Sequence, residues 1–168
     1  MKTFQQFSEA FNTKVKWKTI EKQVEDDAEY YLYETRIDDR NIILIYTLDK
    51  AAWQTGQWGK DDGSFSCSVV FRTGSAKPGV GTGTTIAVTG EGSQMKILGA
   101  VINHMKEFIK KRKDISIVEF SADKGRDGSS TSRTSLYKRL VKRFANTLGF
   151  SLEIESQPKM DTFILTRK

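Results

Sequence analysis

Cysteine and histidine are nearly missing from these 168 residues, and each scarcity closes off a class of chemistry. The lone Cys67 cannot form an intrachain disulfide or a cysteine-rich zinc site, and the lone His104 removes most histidine-based metal sites. No metal is expected. No apolar run approaches the roughly 20 residues that span a bilayer as a helix, and the opening Met1-Lys2-Thr3-Phe4 lacks the apolar stretch of a secretory signal. The sequence thus predicts a protein that stays in the cytoplasm where it is made. Apolar residues are also somewhat scarce, at 38%, against 29% charged, but they recur in periodic runs, which argues against global disorder. A chain of this length buries one core without staples, so a single domain over 1–168 is the expectation.

What is present is unevenly distributed. Residues 1–80 hold 11 Lys/Arg against 12 Asp/Glu, whereas residues 81–168 hold 16 against 9, so the formal charge of +6 comes from the second half. Such asymmetry suits a phosphate-bearing partner, either nucleic acid or a phosphorylated cofactor; a cationic solvated face explains it equally.

Period-two alternation marks strands and the 3.6 period marks helices. Phe4, Phe7 and Phe11 predict a short amphipathic helix over Met1 to Asn12. Val15 to Gln23 alternates with lysines as an edge strand does, the lysines discouraging unwanted pairing. Glu29 to Ile37 and Asn41 to Leu48 predict a hairpin turning at Asp38-Asp39-Arg40. Tyr30, Tyr31, Tyr33 and Tyr46 gather there and read as packed sheet residues. Ala51 to Asp62, with Trp53 and Trp58, reads as a loop. Ser64 to Arg72 is the clearest strand, with Cys67 on the same face as Phe65, Val69 and Phe71, which predicts a core thiol rather than a nucleophile. Thr73 to Gly83 reads as a glycine-rich hairpin loop and Thr84 to Thr89 as a strand.

A helix capped by Ser93 follows, its apolar stripe formed by Met95, Leu98, Val101, Ile102, Met105, Phe108 and Ile109. His104 on this helix reads as a surface or partly packed residue. Ile115 to Ala122 is expected to be a central strand, parallel through the helical crossover to the strand before that helix. A second helix runs from about Thr131 to Leu148, with Leu136, Leu140, Val141, Phe144 and Leu148 inward and Lys138, Arg139, Lys142 and Arg143 largely outward; Gly149 ends it. Phe150 to Glu155 and Thr162 to Thr166 close the chain as a hairpin. The fold class read from this order is mixed α/β (α+β), a mostly antiparallel sheet flanked by helices with one strand-helix-strand parallel crossover.

Thr84 to Arg167, with Ser132-Arg133-Thr134-Ser135-Leu136-Tyr137 opening the second helix and Ala145-Asn146-Thr147-Leu148-Gly149-Phe150 closing it, resembles the GNAT superfamily of N-acetyltransferases. Val88-Thr89-Gly90-Glu91-Gly92, Glu119-Phe120-Ser121-Ala122 and Leu136-Tyr137-Lys138-Arg139-Leu140 look more narrowly like acetyltransferase-like proteins of tailed bacteriophages. The resemblance implies an acyl-CoA-dependent N-acyltransferase using acetyl-CoA and an amine acceptor, located in the host cytoplasm or a virion. It places the pantetheine arm between splayed fourth and fifth strands and the pyrophosphate at the next helix's N-terminus, which matches Val88, Thr89, Gly90, Gly92, Ser93 and Gln94 here. This turn is shorter than the superfamily's usual pyrophosphate loop and contains Glu91, and Ala145 stands where members often carry a tyrosine.

Glu119 interrupts an apolar strand expected to be central. A buried carboxylate there is either paired with Arg or Lys or has a raised pKa suited to a general base. Under the resemblance Glu119 deprotonates the amine, Ser121 or Tyr137 protonates the departing thiolate, and Arg126, Arg133 and Lys138 contact phosphates. The competing reading is a catalytically inactive fold. It would bind nucleic acid through Lys138, Arg139, Lys142 and Arg143, or a phage protein partner through the aromatic N-terminal helix.

Overall fold

Asp38 and Asp39 both take positive φ, 46° and 64°, which is the geometry of a two-residue turn whose twist matches that of the strands it joins. It folds β2 (Ala28–Ile37) back onto β3 (Arg40–Lys50), in the hairpin the sequence predicts. The computed structural model describes residues 15–50, 63–74, 91–123, 132–158 and 160–168, the side chains of 91–95, 122–123 and 132–137 lying outside that description. Expectations for the N-terminal helix, Trp53, Trp58, the glycine-rich loop beyond Gly74, the strand Thr84 to Thr89, and Val88, Thr89, Gly90 and Arg126 fall outside the described residues.

Before the hairpin lies β1 (Lys18–Val24), an exposed edge strand as its lysines predict. After it come β4 (Phe65–Thr73), α1 (Glu91–Lys111), β5 (Ile115–Asp123), α2 (Ser132–Leu148), β6 (Phe150–Ser156) and β7 (Met160–Arg167). The seven strands form one sheet in the order β1-β2-β3-β4-β5-β7-β6, antiparallel except for β4 and β5. A mostly antiparallel sheet flanked by helices, with one parallel pair joined through a helix, is therefore observed. The parallel partner of β5 among the described residues is β4.

Both helices cover the same face of the sheet. Cross-strand register aligns Tyr46 with Val69, and Cys67 with Val118 and then Leu165, and these side chains join one core with Val101, Met105 and Ile109 of α1 and Val141 and Phe144 of α2. Chain direction explains the shared face. β5 and β6 each lie antiparallel to the β7 between them and so run the same way as β4, and two successive crossovers in one direction put their helices on one side when both take the right hand that such connections favour. Cys67 is buried at the centre of this face, and burial pushes its thiol up to about 12. Truncating any central apolar residue to Ala costs about 2–5 kcal/mol.

Two helix details differ from expectation. α1 begins at Glu91, so Ser93 lies inside its first turn rather than capping it. Lys138 is only partly exposed, its Nζ lying 3.9 Å from Oδ2 of the buried Asp161, so it leaves the outward basic row to Arg139, Lys142 and Arg143. Gly149, at φ 75°, stops α2 in the left-handed conformation that residues bearing a Cβ adopt only with strain.

Candidate functional site between two diverging strands

β4 and β5 begin as a parallel pair, with Ser66 opposite Ile117, Cys67 opposite Val118 and Ser68 opposite Glu119. There the described ladder ends. β4 nevertheless stays bound to β3 as far as Thr73, and β5 stays bound to β7 as far as Asp123. Each strand is thus held by a longer antiparallel ladder on its far side, while a short parallel ladder is the weaker of the two kinds. With twist accumulating along both, separation happens at this seam.

The seam opens into a cleft of about 160 Å³, walled by Ser68, Val69, Val70 and Phe71 on one side and Glu119, Phe120 and Ser121 on the other. Alternation along the strands sets its chemistry. Val69, Phe71 and Phe120 belong to the helix-covered face and make an apolar floor, whereas Ser68, Val70, Glu119 and Ser121 belong to the opposite face and form a mostly polar mouth. Phe120 stacks on Phe163, centroids 5.0 Å apart, which fixes the β5 wall. The half-buried Ser121 hydroxyl shares a 3.2 Å hydrogen bond with that of Thr162.

Glu119 corrects the sequence reading. Its strand is interior to the sheet, as expected, yet its side chain is exposed, because it projects from the face opposite the helices at the point where the β4 ladder ends. A carboxylate in that position needs no ion-pair partner. Among the described side chains, Ser121 is the one other site residue read from sequence that the cleft brings to Glu119. Gly92, Ser93 and Gln94 lie in the first turn of α1, and Arg133 and Tyr137 on α2, all with side chains outside the description. The first described turns of α1 lie at the cleft end of the sheet, since Lys96 Nζ reaches Asp38 at 3.3 Å and the Asp38–Asp39 turn sits beside Thr73. Sequence reasoning missed the β4 wall, Ser68 to Phe71; its alternation marks a strand, but nothing local says which strand it will face.

A second polar cluster sits under α1. Tyr46 hydroxyl and His104 Nδ1 are 2.7 Å apart, and the imidazole packs against Trp17 and Tyr33 at centroid distances of 5.1 and 4.4 Å. Burial, reinforced by Lys111, pulls the His104 pKa from 6.5 down to about 4. The unfolded chain therefore takes up a proton that the folded chain refuses, so this contribution to stability is complete above pH 6.5 and is lost as pH falls through 6.5 toward 4. Urea unfolding at pH 7.0 and 4.5 should show wild type losing about 1–2 kcal/mol more than His104→Gln, a figure reduced for the partial exposure of the ring. Equal losses would remove His104 from the pH response.

Among the described residues no three His, Cys, Asp or Glu side chains come together as a metal site requires, and no described helix is long and apolar enough to cross a membrane. Searches against protein-family models, curated proteins and solved structures found no match to this chain.

Proposed function

We propose that this chain has a GNAT-like fold and is an acyl-CoA-dependent N-acyltransferase, with the β4/β5 cleft receiving the acyl end of the donor. The observation that carries this reading is the single parallel pair, flanked by antiparallel ladders, that comes apart after Ser68 and Glu119. The size of the opening supports it. A dry cavity of roughly 150 Å³ accepts a benzene-sized group, so 160 Å³ admits a thioester with a short stretch of its arm and leaves a nucleotide outside.

Acetyl-CoA, when bound, supplies an acyl group already activated as a thioester. The chain's own residues would do the rest. Main-chain groups of β4 beyond Ser68 that face the seam, with no ladder partner on β5, would bond the arm as an added strand is bonded. Val69, Phe71 and Phe120 would keep water from the floor. Glu119 at the mouth would accept the proton of the incoming amine, and Ser121, oriented by Thr162, would return a proton to the departing sulfur. The first N–H groups of a helix have no partner within it, so the N-terminal turn of α1, with Gly92, Ser93 and Gln94, would favour an anion such as the diphosphate; Arg126, Arg133 and Tyr137 remain part of this proposal as the resemblance assigns them.

Isothermal titration with acetyl-CoA tests the reading before any acceptor is chosen. Micromolar binding is expected, with at least a tenfold loss in Val70→Trp, whose side chain fills the mouth, provided thermal melting shows the variant folded. Absence of binding at millimolar acetyl-CoA would overturn the acyl-CoA site.

A further inference from the structure

The two helices lie side by side on one face of the sheet, and their outward surface is basic. Lys110 and Lys111 of α1 and Arg139, Lys142 and Arg143 of α2 are exposed and Lys106 is half-exposed, none of them ion-paired among the described residues. Against these six stands one carboxylate, Glu107, among the described side chains of both helices. Among the described side chains of the same helices, only Lys96 and Lys138 make ion pairs, with Asp38 and Asp161. The opposite face of the sheet carries Glu119, Glu153 and Glu155, all exposed. That face also carries Arg36 and Arg72, so among the described side chains the helical surface is the more basic of the two, which orients a polyanion toward the helices.

We propose that this helical surface binds duplex nucleic acid through its phosphates. Spacing favours the match: neighbours three and four apart on a helix stand about 5–6 Å from each other, and packed helices about 8–10 Å, so two rows of cations span adjacent phosphates along and across a backbone. The chemistry distinguishes this polyanion from others. Among the described residues the large hydrophobics that are exposed, Ile20 and Val24, both lie on β1, so the described part of the basic surface has no apolar face to insert into a bilayer. For the same reason its described side chains offer no aromatic platform on which single-stranded bases would stack, and binding through them rests on phosphates without sequence preference.

The test is fluorescence anisotropy with a labelled 30-base-pair DNA duplex of arbitrary sequence, across a salt series from 50 to 200 mM. Six engaged cations predict a slope of log K on log salt near −5, that is, about a thousandfold loss over this range. Arg139→Gln/Lys142→Gln/Arg143→Gln should halve that slope, cutting the loss to about fortyfold. The matched control is Lys16→Gln/Lys18→Gln/Lys22→Gln, which removes the same charge from the exposed edge at β1 and should leave the slope unchanged. Equal weakening by both triples would reduce the effect to net charge and overturn the assignment. So would tighter binding to the single strand or to phosphatidylserine vesicles than to the duplex, or no binding at 50 mM salt. None of these outcomes depends on whether the cleft binds acetyl-CoA.

Discussion

Glu119→Gln is expected to lower kcat/KM for amine acylation by about 10²- to 10⁴-fold, corresponding to roughly 3–5 kcal/mol of barrier. Most primary amines are protonated at neutral pH, and an ammonium is no nucleophile until a base at the mouth removes its proton. Glu119 projects from the face opposite the helices where the ladder ends, and its backbone is fixed by pairing with Ile164 on β7. Glutamine preserves the shape and the hydrogen bonding but cannot take a proton. Because the side chain is exposed, folding should not change, and because the floor is built by other residues, acetyl-CoA affinity should stay within about threefold. Thiol release from acetyl-CoA across a panel of primary amines gives the rate, and titration calorimetry the donor affinity. A variant that keeps at least a third of the parental rate with every accepted amine would remove Glu119 as the base. Loss of donor binding in the variant would instead make it a ligand-holding residue.

The second large effect is on stability, at Arg112. This residue follows α1 and reaches back 83 positions in sequence to Glu29 on β2, with Nη1 2.5 Å from Oε2 and Nη2 3.1 Å from Oε1, while it also holds Asp114 at 2.8 Å. Side-chain exposure is 20% for Arg112 and 10% for Glu29, so the pair is largely desolvated. Burial pushes the Glu29 carboxyl up, but hydrogen bonds from Arg112 and Tyr31 outweigh it and hold the group below its ordinary value. At Asp114 the hydrogen bond from Arg112 lowers the pKa outright. Arg112→Met strands the Glu29 charge, and we expect a loss of about 2–3 kcal/mol, below the 3–5 of a fully buried pair because some solvent remains. For a domain of this size that is a fall in Tm of about 4–12 °C.

Adding Glu29→Gln to Arg112→Met should restore more than half of the loss, since the cost lies in the uncompensated charge rather than in the missing bond. Urea unfolding of the two variants and the parent at pH 7 measures this. An Arg112→Met loss under about 0.5 kcal/mol, or no recovery in the double variant, would sink the account. The pH dependence has a definite sign: both carboxylates titrate lower in the folded chain, so their contribution is full above their ordinary values of 4.5 and 3.8 and disappears as pH falls through the lower folded ones.

The elements themselves were legible in the residues because their causes are local. Alternation in Phe65 to Phe71 marks a strand and puts Cys67 in the core; Leu98, Val101, Met105 and Ile109 recur at helical spacing and are buried. A Gly at 149 stops α2, and an Asp pair turns the β2–β3 hairpin. Even the parallel crossover follows from a helix joining two strands. The GNAT-like reading and the acyl-transfer chemistry stand apart from these, as proposals whose tests are given above.

Tertiary structure alone decided which strands meet. Whether β5 pairs with β4, and whether β7 enters between β5 and β6, depends on closing long loops against competing partners, and local periodicity carries no information about that choice. The candidate site is a product of those choices. Glu119 looked buried because its neighbours in sequence are apolar, and it is exposed because the strand beside it is held by β3 and departs. Lys138 looked like one more member of a solvated row, and it turns toward Asp161 because the β6–β7 hairpin brings a buried carboxylate beneath it. A sequence fixes which face each residue occupies on its own element; what stands opposite that face is settled only when the sheet is assembled.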